Sequence, residues 1–157
     1  MSKYRQHFYE VANPEKYRGK KKPFMRSSWE TVFARMCDNN PAIVSWASEP
    51  FMIPYRNPFT GKKTIYVPDF LIVYVDKKNQ THGEVIEIKP KKESSMDHAK
   101  SQRDKAAVIL NKAKWQVAEA WCKAQGLRFR VITEDMIFSM GPPKLPKQKA
   151  ASKSKKR

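Results

Sequence analysis

VPDFLIVYVDKKNQTHGEVIEIKP, residues 67–90, joins two apolar runs through a polar turn. Asp69 opens the first run, and Glu87 and Lys89 close the second. Burying an unpaired charge costs several kcal/mol, so strands this apolar exclude charges unless something compensates them. The stretch therefore predicts a β-hairpin whose charged end is compensated by a partner.

The hairpin geometry brings these three charges together. Side chains alternate across a strand, so Glu87 and Lys89 share one face while Glu84 lies on the other. With a turn at about 76–82, antiparallel pairing places Asp69 beside Glu87 and Lys89. We expect Glu84, on the opposite face, to be a solvated or paired charge.

Two carboxylates at one end of a sheet predict a cation site. Adjacent carboxylates repel, so both stay ionised at neutral pH only with a cation between them. A hard ion such as Mg²⁺ prefers oxygen ligands, and we expect Asp69, Glu87 and the carbonyl of Ile88 to hold it. Lys89 would orient a water molecule and offset the charge that develops on a phosphate. The pattern thus predicts metal-dependent phosphodiester hydrolysis.

An upstream helix offers one more acid to this site. Ser27 is its predicted N-cap, and Glu30 completes a capping box. The apolar residues recur at i, i+3, i+4, i+7 and i+8 and form one face: Trp29, Val32, Phe33, Met36 and Cys37. Glu30 lies on the rim of that face, so it can cap the helix, look toward the sheet as a metal ligand, or do both.

The charge distribution predicts a polyanionic partner. The net charge is +17, and residues 1–26 carry eight Lys/Arg against two Glu, while residues 141–157 carry seven Lys/Arg and no acid. We expect a basic N-terminal arm (1–26), one nuclease-type domain (27–140) and a disordered basic tail (141–157). Nucleic acid is the first candidate partner and an anionic membrane surface the second. No amphipathic helix pairs a lysine-rich face with an apolar one, which argues against the membrane.

Hydrophobic patterning predicts an α/β fold with a mixed central sheet flanked by helices. The expected order is α-β-β-β-β-α-β-α, with strands at about 43–46, 50–55, 64–75 (broken at Pro68), 83–89 and 127–133. A helical pattern, either continuous or broken once, runs from Ser94 or Ser95 to Gln125. Cys37 and Cys122 lack ligand spacing and are predicted to be reduced core residues. No apolar run reaches the roughly 20 residues of a membrane span, and no signal peptide is visible, so we expect an intracellular protein.

Pro68-Asp69, followed by Glu87-Ile88-Lys89 and preceded by the helical Glu30, resembles the motif of the PD-(D/E)xK nuclease superfamily. More closely, residues 13–30, the hairpin and residues 114–134 are similar to the head-completion nucleases of large tailed bacteriophages. The TnsA-type endonuclease domain is a more distant resemblance. The similarity spans about residues 1–140.

This resemblance implies a restriction-endonuclease-like core and DNA cleavage that depends on Mg²⁺, with Mn²⁺ as an alternative ion. It implies Asp69 and Glu87 as metal ligands, Lys89 as the catalytic lysine and Glu30 as the helix-borne acid. It also implies action late in phage assembly, in the host cytoplasm or on the virion, with head or portal proteins as partners.

The residues after the second strand of the hairpin are basic. Lys91, Lys92, Lys100 and Arg103 are either a solvated helix start or contacts to the DNA backbone. An alternative function is a non-catalytic basic protein that binds DNA ends or the portal during head completion. The sequence leaves open endo- or exonuclease action, single- or double-stranded DNA, and one metal ion or two.

Overall fold

The computed structural model describes residues 6–140, so the predicted tail at 141–157 lies outside the described residues. Eight strands and three α-helices make up the described part. In chain order they are β1 (His7–Phe8), β2 (Phe24–Met25), α1 (Ser28–Asn39), β3 (Ile43–Ser48), β4 (Ile53–Arg56), β5 (Lys63–Tyr66), β6 (Phe70–Val75), β7 (Thr81–Ile88), α2 (Gln102–Ala124), β8 (Arg128–Ile132) and α3 (Glu134–Met140).

A four-stranded mixed sheet with the order β3-β6-β7-β8 lies at the centre. β6 is antiparallel to both of its neighbours, and β7 and β8 are parallel. The chain between the parallel pair contains α2, because parallel strands need a long crossover. The predicted mixed sheet flanked by helices is confirmed.

The β6–β7 hairpin forms as predicted, although β7 begins two residues earlier than expected. Asp76 closes its turn by accepting hydrogen bonds from the backbone N–H groups of Lys78 and Gln80. Asn79 takes the left-handed conformation there, with φ of 63°. The register pairs Phe70 with Ile86, which brings the position before Phe70 to the level of Glu87.

Pro68 divides the apolar run 64–75 between two sheets. β5 pairs with β4 in a separate two-stranded sheet, whereas β6 belongs to the central sheet. Proline has no backbone N–H to donate to a ladder, so the run cannot continue as one central strand. The β4–β5 hairpin turns at residues 57–61, where Gly61 lies in the left-handed region at φ of 72°.

The two faces of the central sheet carry different apolar clusters. One face packs on α1 and α3, and its largest fully buried side chains include Trp46, Phe33 and Phe70. The other cluster joins the β4–β5 hairpin to α2 through Ile53, Tyr55, Tyr66 and Ala118, with Leu110, Val117, Trp121 and other residues packed around them. Both cysteines are buried and free, as predicted. Over residues 6–140, no helix is long and apolar enough to cross a membrane.

The described part of the N-terminal arm packs on the domain and contains regular structure. It contains β1 and β2, which pair with each other. Tyr9 and Tyr17 pack edge-on against Trp46. Asp38, which is fully buried, accepts hydrogen bonds from the Tyr9 hydroxyl and from two backbone N–H groups of the arm. An aromatic and carboxylate anchor therefore orders a segment whose sequence has no sustained period.

The long helix begins later than expected. α2 starts at Gln102 because Ser101 is its N-cap and forms a reciprocal capping box with Asp104. The preceding residues form a short 3₁₀ turn over Lys91–Glu93 followed by turns. The helical pattern is therefore broken before Ser101, and the predicted start of the continuous helix at Ser94 or Ser95 was wrong because it missed this box.

Candidate active site

Asp69 is fixed to both neighbouring strands at one end of the central sheet. Its Oδ2 accepts a hydrogen bond of 2.7 Å from the backbone N–H of Ile88. Its carbonyl oxygen accepts another of 2.8 Å from the backbone N–H of Glu49. The adjacent Pro68 is fully buried. The break in the apolar run therefore holds the Asp69 carboxylate against the end of β7.

Glu87 is buried on the same face of the sheet as Asp69. Only 4% of its surface is exposed. Its Oε1 accepts a hydrogen bond of 2.7 Å from the Tyr66 hydroxyl, which comes from the β4–β5 hairpin. The predicted meeting of Asp69 with Glu87 is confirmed by the register and by the bond from Ile88.

Without a bound metal ion, the surroundings of Asp69 and Glu87 favour the protonated forms of both carboxyl groups. Burial, followed by the charges of Glu87 and Glu30, raises the pKa of Asp69 well above its usual range. Burial also raises the pKa of Glu87, although the Tyr66 hydrogen bond and the charges of Lys89 and Lys114 oppose that rise. A bound cation would favour the ionised forms instead.

Glu30 approaches this end of the sheet from the first turn of α1. Ser27 caps the helix as predicted, since its Oγ accepts from the backbone N–H of Glu30 at 3.2 Å. In a capping box, the Glu30 carboxylate would accept a hydrogen bond from the backbone N–H of Ser27. Instead, Glu30 Oε1 accepts one of 2.9 Å from the backbone N–H of Arg26, one residue before the cap. Burial is the main cause of the raised pKa of Glu30, while the charges of Arg26 and Lys89 lower it.

Lys89 directly follows β7, and its backbone N–H donates to the carbonyl of Ile132 at 3.0 Å. Its positive charge lowers the pKa values of Asp69, Glu87 and Glu30. Among residues 6–140, no hydrogen bond or ion pair engages its ammonium group. The ammonium is thus close enough to influence the carboxylates and keeps its donors available.

The oxygen donors present suit a hard cation. Over the described residues, no group of three or more His, Cys, Asp or Glu side chains is arranged to hold a metal ion. Asp69 and Glu87 form a pair, and the carbonyl of Ile88 is the next oxygen donor in the chain. Mg²⁺ commonly uses one or two carboxylates and completes its shell with water and substrate phosphate. The donor set therefore fits Mg²⁺.

Two residues of the site were not predicted from the sequence. Tyr66 donates to Glu87, and the ammonium of Lys114 on α2 lies 5.7 Å from the centre of the Tyr66 ring. No local pattern marks Tyr66 as a functional residue, because it precedes Pro68 in an ordinary strand. The position of Lys114 is a local indication of function, since this charged residue occupies the apolar side of α2 between Leu110 and Ala118.

Glu84 lies on the opposite face from Glu87, as strand parity predicted. It is buried rather than solvated, with 4% of its surface exposed. Arg130 pairs with its Oε1 at 3.0 Å, and the Tyr74 hydroxyl donates to its Oε2 at 2.8 Å. Of the two expectations for this carboxylate, the paired charge is correct.

The basic residues predicted to contact DNA differ in their surroundings. The ammonium of Lys91 pairs with Asp135, and its backbone N–H donates to Glu134. Lys91 therefore fastens the 3₁₀ turn to α3. Lys92, Lys100 and Arg103 are exposed. Their contact with DNA stays a prediction.

Comparisons with known proteins place the chain among nucleases. Residues 40–134 match the model of a family described as TnsA-like endonuclease N terminal. The head completion nuclease of Enterobacteria phage T4 is 35% identical over 140 residues, which cover 82% of this chain and 91% of that protein. The family match includes Asp69, Glu87 and Lys89 and begins after Glu30. The resemblance expected from the sequence motifs is confirmed.

Proposed function

The chain belongs to the TnsA-like endonuclease family, and from this membership we propose that it is a Mg²⁺-dependent deoxyribonuclease acting in phage head completion. Family membership supports the nuclease activity. The observation that carries the metal requirement is the buried pair of Asp69 and Glu87, whose pKa values are both raised. Lys89 at the same end of the sheet supports hydrolysis rather than simple ion storage.

Asp69, Glu87 and the carbonyl of Ile88 would hold the ion, and Glu30 would add a ligand by leaving the N–H of Arg26. Bound Mg²⁺ supplies a polarised phosphate oxygen and a bound water of lowered pKa. The protein residues fix where this happens, because the Ile88 N–H and the Tyr66 hydroxyl set the orientation of the two carboxylates.

Lys89 has the role of orienting the attacking water and balancing phosphate charge. In the hydrolysis, a water oxygen forms a bond to phosphorus and the ester P–O bond breaks. The water proton passes to solvent, and the departing alkoxide takes a proton from solvent, leaving a phosphate monoester and a hydroxyl. The ammonium keeps its proton and donates hydrogen bonds to phosphate oxygen as negative charge grows there.

DNA is the substrate that the charge distribution favours. The net charge is +17, and the exposed Lys92, Lys100 and Arg103 follow the end of β7 that carries Glu87. Contacts of this kind bind phosphates without reading base sequence. The role in head completion comes from the name of the T4 relative, and it implies head or portal proteins as partners.

One assay tests the activity. Purified protein is incubated with linear and with circular DNA, in Mg²⁺ and in EDTA, beside an Asp69→Ala variant and an exposed-site control, Asp97→Ala. We expect cleavage by the parent protein and by Asp97→Ala in Mg²⁺ alone, and none by Asp69→Ala despite normal DNA binding. Cleavage of the circular DNA would identify an endonuclease.

Two outcomes would contradict the proposal. Cleavage by Asp69→Ala at the rate of the parent protein would show that Asp69 does not belong to the active site. DNA binding by the parent protein without any cleavage in Mg²⁺ or Mn²⁺ would favour the alternative, a structural protein that binds DNA ends or the portal.

A further inference from the structure

Lys114 occupies a position on α2 where an apolar residue is expected. Leu110, Lys114, Val117, Ala118 and Trp121 follow one another at helical spacing, and the other four belong to the apolar cluster under the β4–β5 hairpin. A lysine on such a face loses hydration of its ammonium unless other groups compensate it. The position therefore calls for a reason beyond packing.

The surroundings of Lys114 connect it to the carboxylate pair. Its ammonium lies 6.0 Å from the centre of the Tyr55 ring and 5.7 Å from that of Tyr66. Both contacts are within the range of cation–π attraction. The Tyr66 hydroxyl in turn binds Glu87, and the charges of Lys114 and Glu87 influence each other. Lys114 thus reaches the site from the α2 side.

The donors of this ammonium are not used by the protein. Within residues 6–140, Lys114 makes no side-chain hydrogen bond and no ion pair. A lysine that served only to balance Glu87 would be expected to contact it directly, yet Glu87 receives its hydrogen bond from Tyr66. Two aromatic rings hold the charge while three N–H donors remain for an acceptor from outside.

We propose that Lys114 binds a non-bridging oxygen of the DNA phosphate at the carboxylate pair, as a second phosphate-binding cation beside Lys89. The proposal rests on the proposed nuclease function. A phosphodiester has two non-bridging oxygens, and the ammoniums of Lys89 and Lys114 come from different elements, the end of β7 and the middle of α2. Together they fix the orientation of the phosphate relative to Asp69 and Glu87.

The test compares Lys114→Gln, Lys114→Arg and the matched control Lys112→Gln. Lys112 is exposed on the same helix, about 200° around its axis from Lys114. Cleavage rates are measured against DNA concentration in Mg²⁺, and the Mg²⁺-induced rise in melting temperature is measured without DNA. We expect Lys114→Gln to lower kcat/KM about 100-fold, in the range for loss of one donor to a developing oxyanion. Lys114→Arg should recover part of the loss, and Lys112→Gln should match the parent.

Lys114→Gln should keep the Mg²⁺-induced rise in melting temperature, because Asp69, Glu87 and the Tyr66 hydrogen bond to Glu87 all remain. Full activity of Lys114→Gln would overturn the proposal. Loss of the Mg²⁺ response together with activity would also overturn it, since Lys114 would then act through Glu87. If the parent protein fails to cleave, the proposed function fails, and Lys114 is judged by DNA binding. Weaker binding by Lys114→Gln than by Lys112→Gln would then support the phosphate contact, and equal binding would overturn it.

Discussion

The hydroxyl of Tyr66 donates a 2.7 Å hydrogen bond to Oε1 of Glu87, although the two residues belong to different sheets. The bond links the β4–β5 hairpin to the buried carboxylate and favours its ionised form. A neighbour that orients a metal-binding group affects the affinity for the metal without touching it.

Tyr66→Phe should weaken Mg²⁺ binding while leaving the fold intact. The change removes the donor to Glu87 and keeps the ring beneath Lys114, so the Mg²⁺ concentration for half-maximal cleavage should rise by about 10-fold or more. Tyr55→Phe is the matched control, because within residues 6–140 the Tyr55 hydroxyl makes no hydrogen bond and its ring also faces Lys114. An equal response of both variants to Mg²⁺ would contradict this role.

Asp69→Asn should stabilise the metal-free protein. The raised pKa means that the folded state binds more protons than the unfolded state, so the free energy of unfolding falls as the pH rises from about 4 through that pKa. Asparagine has no charge to bury and can still accept from Ile88. In EDTA at pH 7 we expect a melting temperature higher by about 2–5 °C.

The same comparison separates charge from packing. The advantage of Asp69→Asn over the parent protein should shrink as the pH is lowered toward 4, where the parent carboxyl is protonated. Mg²⁺ should raise the melting temperature of the parent and leave that of Asp69→Asn unchanged. Calorimetry across this pH range, with Asp97→Asn as the surface control, measures both effects, and an advantage independent of pH would exclude the electrostatic cause.

Lys89→Gln should separate catalysis from metal binding. Loss of the ammonium removes the group proposed to orient water and offset phosphate charge, and we expect single-turnover cleavage to slow by about 100-fold or more. The Mg²⁺-induced rise in melting temperature should persist, because Asp69 and Glu87 remain. Lys78→Gln, at the opposite end of the hairpin, should cleave at the parent rate. Cleavage by Lys89→Gln at the parent rate would show that Lys89 has no role in catalysis.

The exposed basic residues after β7 should act by neutralising phosphates of the DNA backbone. Changing Lys92, Lys100 and Arg103 together to Gln should weaken DNA binding at all sequences. The slope of log affinity against log salt should fall by about 1 for each phosphate that is no longer neutralised. The double variant Lys77→Gln/Lys78→Gln removes charge at the far end of the hairpin. Fluorescence anisotropy over a salt series measures the DNA affinity of both variants. An equal change in the slope of log affinity against log salt, per charge removed, in the triple and the double variant would contradict this role.

Asp38→Ala should release the N-terminal arm. The buried carboxylate accepts hydrogen bonds from the Tyr9 hydroxyl and from the backbone N–H groups of Ala12 and Asn13. Its removal therefore leaves three hydrogen-bond donors without an acceptor. The free energy of unfolding should fall by about 3 kcal/mol. Urea denaturation measures this loss, and limited proteolysis should show earlier cleavage within the arm than in Asp97→Ala. A stable variant with a protected arm would mean that the aromatic contacts on Trp46 suffice.

Short-range rules of sequence account for the centre of the molecule. Alternation along β7 separated Glu84 from Glu87, and the turn at Asp76–Gln80 placed Asp69 opposite the end of that strand. Ser27 as the helix cap and the two reduced cysteines follow from equally local rules. These features depend on strand period, turn chemistry and capping, which act over a few residues.

The surroundings of that centre depend on the three-dimensional arrangement of whole elements. Tyr66 and Lys114 are 21 and 27 residues in sequence from Glu87. They lie near it only because β5 pairs with β4 outside the central sheet and α2 packs on that hairpin. The buried Glu84 pair and the arm anchored on Asp38 likewise join residues distant in sequence. Local patterns cannot predict such contacts, because the packing of helices against strands sets which side chains meet and which lose their water.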